Sequence, residues 1–366
     1  MKKIGLIFIC ALMSFFSAQA EFTIDYSAEL IGNAGSGNFA PHYIASNVHG
    51  VITQSNSCLL KLDLHRDLDL SKRFSWGFGA STVDGFASAT DYSVYDIENK
   101  ELTTRAVRPE MFVRQELYLD LKYRSIFLTL GAKELNSKMV NSRLSSGDLT
   151  ISSNARPVPG IRAGFVDPQN IPFTNGWVQI SGEIGYYRQT DNDWIRNHYN
   201  YYNHAITVNH WLNYKYCYLN TNPDKAFSFT LGLQASCQFG GEIHYYNKGE
   251  LTSTIDMSPT LGTFFRTMVP GGGGNVQGDQ LFVEGNHLGS IDLMGRYRFK
   301  KGTELKLYFQ NPWEDGSGLG KMNGFDGLYG IEYKSASSKG VVTGAVVDIP
   351  IFMPLIGMDK EEIVTI

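Results

Sequence analysis

Between Ala226 and Gln238 the chain reads AFSFTLGLQASCQ. Phe227, Phe229, Leu231, Leu233, Ala235 and Cys237 fall on one side of an extended ribbon, and Ser228, Thr230, Gly232, Gln234, Ser236 and Gln238 on the other. Successive side chains of a strand point to opposite faces, so this period of two predicts a strand with one apolar and one polar face. The pattern recurs upstream, where Cys58, Leu60, Leu62 and Leu64 oppose Lys61, Asp63 and His65. Leu117, Leu119, Leu121 and Tyr123 likewise oppose Glu116, Tyr118, Asp120 and Lys122, and similar runs are Phe74, Trp76, Phe78, Ala80 and Val178, Ile180, Ile184, Tyr186. Downstream, Ile291, Leu293, Tyr297 and Phe299 connect through Lys300-Lys301-Gly302 to Leu305, Leu307 and Phe309, which predicts an antiparallel hairpin.

A soluble β-sandwich also alternates, so segment length and aromatic placement decide between the two folds. The alternating segments match the roughly 9 to 11 residues with which a tilted strand crosses an outer membrane, whereas globular strands are commonly about 5 to 6. Tyr123, Trp177, Tyr186, Tyr187, Phe299 and Phe309 sit at segment ends, where an interfacial girdle places its rings. The mature chain has no apolar run near the roughly 18 residues of a membrane helix. These observations predict an all-β fold, an antiparallel transmembrane β-barrel of about 12 to 16 strands in this chain.

The first twenty residues, MKKIGLIFICALMSFFSAQA, carry Lys2 and Lys3, an apolar run and Ala18-Gln19-Ala20, the pattern of a secretory signal peptide cleaved after Ala20. The expected organisation is therefore a signal peptide over 1–20, a barrel domain over 21–347 and an atypical tail over 348–366. In the tail, DIPIFMPLIGMDKEEIVTI loses the alternation and places Pro350 and Pro354 where ladder donors are needed. Charged residues make up 19% of the chain, below the roughly 25% of soluble domains. The net charge of −4 and a pI near 6.1 argue against a nucleic-acid partner.

Enzymatic motifs are wanting. There is no G-x-S-x-G elbow, and the stretch Gly316 to Lys321 is followed by Met322 where a phosphate loop needs Ser or Thr. His198, His204 and His210 recur every six residues, too far apart on a strand to share a metal ion, and the acidic residues are scattered. Cys58, Cys217 and Cys237 form no metal spacing and too few pairs for a disulfide framework. No catalytic residue, metal or cofactor is expected.

The segment SGDLTISSNARPVPGIRAGFVDPQNIPFTNGWVQISGEIGYY, Ser146 to Tyr187, resembles the core signature of the Wzi family of outer-membrane capsule assembly proteins in its Bacteroidetes branch. APHYIASNVHGVI (Ala40 to Ile52), LYLDLKYRSIFLTLGAKE (Leu117 to Glu134), LGLQASCQFGGE (Leu231 to Glu242) and GLYGIEYKS (Gly327 to Ser335) extend the resemblance over most of residues 22 to 347. It implies a non-enzymatic barrel of about eighteen strands that binds capsular polysaccharide and anchors it at the cell surface. Relatives of that family continue well beyond Val347, so the resemblance also implies a chain cut short of its closing strands. The expected partners are capsular polysaccharide and outer-membrane lipid, and the expected assembly is a monomer.

Holding a polysaccharide calls for aromatic faces and for planar forks that grip hydroxyls or carboxylates. On that logic the candidate contacts are Asn154, Arg156, Arg162 and Trp177, together with the ring-rich cluster Trp194, Tyr199, Tyr201 and Tyr202. The bland alternatives are that Arg156 and Arg162 are lumen residues paired with Glu183 or Asp167, and that Trp177 and the ring cluster belong to a girdle. Two further functions stay open: a diffusion channel, from the barrel alternation and polar inner face, and an outer-membrane hydrolase whose Ser and His meet on neighbouring strands.

Overall fold

A computed structural model describes residues 23–96, 98–141, 145, 147–189, 205–248, 250–269, 287–314, 327–336 and 342–351. The strands are β1 (Asp25–Asn33), β2 (Ser57–Arg66), β3 (Phe74–Ala87), β4 (Thr90–Asp96), β5 (Glu101–Val107), β6 (Phe112–Tyr123), β7 (Ile126–Ala132), β8 (Gly160–Phe165), β9 (Gln169–Asn170) and β10 (Val178–Arg188). They continue with β11 (Ala205–Val208), β12 (Trp211–Thr221), β13 (Phe227–Phe239), β14 (Glu242–Asn247), β15 (Glu250–Asp256), β16 (His287–Arg298), β17 (Glu304–Glu314), β18 (Gly327–Ala336) and β19 (Val342–Ile351). Among the described residues there are two short helices, α1 (His42–Ala45) and α2 (Leu261–Arg266).

One antiparallel sheet of 14 strands dominates, in the order β1-β2-β3-β6-β7-β8-β10-β12-β13-β16-β17-β18-β19, with β9 appended to β10. Each wall strand pairs with the next in this order, so the path meanders. Tight connections, such as Arg124-Ser125 and Phe299 to Thr303, lie at one end and long ones at the other. At the long-loop end β4 pairs with β5, and β11, β14 and β15 form a small separate sheet. β19 stays paired with β18 as far as Ile351, past the expected boundary at Val347. Pro350 is accommodated because β19 is an edge strand of the described sheet, where one missing ladder donor is tolerated. Among the described residues no ladder joins β1 to β19. The signal-peptide expectation over 1–20 and the tail beyond Ile351 lie outside the described residues.

The polarity of the wall is the reverse of a soluble domain's. Leu60, Leu62, Leu64, Leu117, Leu119, Phe229, Leu307 and Ile331 are exposed, and Leu231 is 41% exposed. The alternate positions are buried although polar: Thr129, Thr230, Asp292 and Gln310, with Gln234 only 1% exposed. Exposed rings at the tight-turn end, Tyr26, Phe74, Tyr123, Phe227, Tyr297 and Tyr333, form a band around it. Tyr123 and Phe299 lie outward as the sequence suggests, but Tyr187 does not belong to this band. It sits on the opposite face from Tyr186 and, at 4% exposure, packs in the interior with Tyr214, Tyr216, Tyr218 and Tyr308.

Four inner tyrosines lie opposite glycines of the adjoining strand: Tyr118 with Gly79, Tyr187 with Gly160, Tyr218 with Gly232 and Tyr308 with Gly330. A Cβ on Gly330 would fall within the Tyr308 ring, so glycine is the residue that lets this ring lie flat across the neighbouring strand. α2 is strapped to the outside of the wall near the long-loop end. Phe264 meets Trp211 and Phe239 edge-on at 5.2 and 5.4 Å, and Tyr186 donates its hydroxyl to the Phe264 carbonyl at 2.5 Å. Beneath the strap, Lys215 donates to the Thr267 carbonyl at 2.8 Å and to Asn213 Oδ1 at 2.6 Å. The strap thereby covers a polar patch on an otherwise apolar outer face.

Candidate functional site in the interior

The described residues of the connection between β7 and β8, 133–141, 145 and 147–159, fold inward and are gripped from both sides. On one side it meets the segment after β1: Asn47 N–H donates to Asn154 Oδ1 at 2.7 Å, Arg156 Nε to the Gly50 carbonyl at 3.3 Å, and His49 Nε2 lies 3.2 Å from Asn136 Oδ1. On the other side Asn141 Nδ2 donates to Glu332 Oε1 of β18 at 3.0 Å. The β1–β2 connection and β18, near the two ends of the wall order, thus touch one plug, which requires the sheet to curl around it.

The firmest grip is a carboxylate–carboxamide clasp. Asp148 accepts from the backbone N–H of Thr150 at 2.8 Å and of Ile151 at 3.0 Å, and from the Ser137 hydroxyl at 2.5 Å. Its oxygens also accept from Gln234 Nε2 of β13 at 3.1 and 3.2 Å and from Gln310 Nε2 of β17 at 3.0 Å. The same two carboxamides donate to Asp292 of β16 at 2.9 and 3.1 Å, and Tyr218 donates its hydroxyl there at 2.7 Å. Tyr214 in turn donates to Gln234 Oε1 at 2.7 Å, and Leu149 N–H to Gln310 Oε1 at 3.2 Å. Every carboxamide atom of Gln234 and Gln310 therefore has a partner, as buried polar groups require. Met139 and Val140 of the plug pack against the inner tyrosines and add an apolar contact.

Between plug and wall lies a chamber. One cavity of about 410 Å³ and a second of about 220 Å³ share Lys133, Lys138, Arg162, Glu183 and Tyr216 as lining. The larger also reaches Leu68, Leu70, Val166, Asp167 and Pro168, so it extends toward the tight-turn end. Lys133 Nζ donates to Asp120 Oδ2 at 2.5 Å and lies 4.3 Å from the Tyr118 ring centre, while Thr129 donates its hydroxyl to Asp120 Oδ1 at 2.6 Å. Arg162 Nη1 lies 3.5 Å from Glu183 Oε1, and its guanidinium sits 5.4 Å from the centre of the Phe127 ring.

The four described sequence candidates do not form one surface. Asn154 and Arg156 both tie the plug to residues 47–50, and Arg162 lies in the chamber paired with Glu183. Trp177, 62% exposed, precedes β10 at the tight-turn end. Trp194, Tyr199, Tyr201 and Tyr202 lie outside the described residues. The clasp residues Asp148, Gln234, Asp292 and Gln310 were not singled out by sequence. Their one signal is that Gln234 and Gln310 occupy polar positions of strands long enough to span.

No family model and no curated protein sequence matches the chain. Among solved structures it is similar to Salmonella typhi OmpF in complex with daunomycin, at 7% identity over 91% of this chain and 91% of that chain with a TM-score of 0.34. It is also similar to the outer membrane channel DcaP of Acinetobacter baumannii, at 11% identity over 90% of this chain and 92% of that chain with a TM-score of 0.32. A mutant Rh. blastica porin is 11% identical over 89% of this chain and 94% of that chain, TM-score 0.32. Likeness at this level assigns no activity, ligand or partner.

Proposed function

We propose that the protein is an outer-membrane β-barrel that provides a constricted passage for small polar solutes. The observation carrying this reading is the inverted polarity of the wall: apolar side chains such as Leu62 and Leu231 face outward, while Gln234, Asp292 and Gln310 are buried inside. A soluble sheet would do the opposite, whereas a lipid-facing wall needs apolar surface outside and all its backbone groups paired. The outward rings at the tight-turn end fit the aromatic girdle at one membrane interface. Tight turns of such barrels face the periplasm, which would place the chamber's wider reach on that side. β1 and β19 run in the same direction along the wall, so a fully antiparallel closure takes at least one further strand running the opposite way.

The plug narrows the passage rather than leaving it empty, so a small, intermittent conductance is expected. Purified protein in a planar bilayer tests this: discrete low-conductance steps support the reading, and a silent bilayer with correctly inserted protein refutes it. The capsule-anchor expectation rests on the sequence resemblance. Of its described contact residues, Asn154 and Arg156 hold the plug, Arg162 pairs with Glu183 inside and Trp177 is exposed at the tight-turn end, so the geometry favours the passage.

A further inference from the structure

We infer that α2 is a lipid-embedded strap whose outward stripe lies among the acyl chains of the leaflet at the long-loop end. The inference deepens the membrane-barrel reading and rests on it, but it concerns a part of the molecule that the passage does not use. Leu261 and Phe265, four residues apart, are 80% and 71% exposed, and the exposed Met268 and Val269 continue the stripe past the helix. Positions i, i+4, i+7 and i+8 share one side of a helical path. The side turned to the wall holds Thr263 and Thr267, both buried, beside the Phe264 ring. Lys215 Nζ donates to the Thr267 carbonyl at 2.8 Å, and His287 Nε2 lies 3.2 Å from the same oxygen. The strap therefore repeats the inversion of the wall, polar inward and apolar outward. In water an amphipathic helix turns its apolar stripe to the protein; the outward stripe is the favourable arrangement against acyl chains.

Two further observations point to lipid as the occupant. The outer row of β13 is apolar and exposed at Phe227, Phe229 and Leu231, and it ends at Phe239, which is fully buried where the Phe264 ring meets it. There the strap takes over from the wall as the outermost surface, so one apolar face runs from strand onto helix. Residues 260–269 also contain no carboxylate and a single cation, the exposed Arg266, whose long stem suits a guanidinium held at headgroup level above apolar neighbours. Phe86, on the outer face of β3 at the same end of the wall, is exposed as well. The strap and Phe86 thus belong to a second interfacial belt, opposite the ringed tight-turn end.

Tryptophan fluorescence of the full chain in phosphatidylcholine vesicles tests this, with bromine carried on the acyl chains either just below the headgroup or near the chain end. The emission added by Phe265→Trp is read as a difference from the parent. It is compared with that added by Leu231→Trp on the wall and by Leu102→Trp on the β4–β5 hairpin. The expected result is that shallow bromines quench Phe265→Trp at least about twofold more strongly than deep ones, that Leu231→Trp is quenched, and that Leu102→Trp is not. The strand signature in circular dichroism reports that each variant is folded. Quenching of Leu231→Trp without quenching of Phe265→Trp would overturn the inference and leave the lipid-facing wall standing; a blue-shifted emission in that case would place a second copy over the stripe. Equal quenching of Phe265→Trp and Leu102→Trp would also overturn it, because bromine would then be reaching any exposed loop. If Leu231→Trp is unquenched too, the lipid-facing wall fails and the strap's contact fails with it.

Discussion

Replacing Asp148 with alanine should release the plug. The carboxylate serves five donors, and three of them, the Ser137 hydroxyl and the Thr150 and Ile151 N–H groups, have no other acceptor within the clasp. A buried donor left unsatisfied costs about 1–3 kcal/mol, while in the undocked plug water restores it. Removing a buried carboxylate also relieves its desolvation, so we take the net loss of docking free energy as about 2–4 kcal/mol. At roughly 1.4 kcal/mol per factor of ten, the ratio of undocked to docked plug rises on the order of 30- to 1,000-fold. Gln234 and Gln310 retain Asp292 as an acceptor, so the wall itself should stay intact. Two assays read the change: the dwell time of open steps in a planar bilayer, and amide hydrogen exchange across residues 137–151. Asp148→Asn keeps one acceptor oxygen and should give a smaller effect. If exchange protection and dwell times in Asp148→Ala equal those of the parent, the clasp does not hold the plug, and the packing of Met139 and Val140 against the inner tyrosines does.

Leu231→Arg places a charge on the outward face midway along β13 and should destabilise folding into lipid vesicles by about 2–4 kcal/mol, read from denaturant titration; an unchanged midpoint would mean that this face does not meet acyl chains. Gly330→Val drives a side chain into the Tyr308 ring and should cost about 1–3 kcal/mol or more, and the loss should shrink in a Tyr308→Ala background; equal losses in both backgrounds would show that the ring is not what glycine accommodates. In the β2–β3 turn, hydrogen bonds from Ser71 and then from Lys72 hold the Asp69 carboxyl down at about 2. A carboxyl with a lowered folded-state value stabilises the turn above its unfolded value and loses that contribution as pH falls toward 2; Ser71→Ala should therefore move its titration midpoint, followed by NMR, upward toward 3.8, and an unmoved midpoint would exclude the Ser71 bond as the cause.

The sequence by itself determined the wall. Period two is a local property of the chain, so runs such as Phe227 to Cys237 and Leu60 to Leu64 report the face each residue occupies without reference to any distant contact. It offered Arg162 as a lumen residue paired with Glu183 or Asp167 only as the bland alternative to a polysaccharide contact, and the fold sets it 3.5 Å from Glu183. Tertiary structure decided what fills the interior and what covers the outside. The inward course of the described β7–β8 connection, the meeting of Asp148 with Gln234, Asp292 and Gln310, and the strap of α2 over Lys215 all join residues far apart in the chain. Loop residues carry no periodicity, and a buried clasp of Asp and Gln has the same composition as a solvated turn. Only once the sheet curls does burial distinguish them, because removal from water makes each donor's partner obligatory.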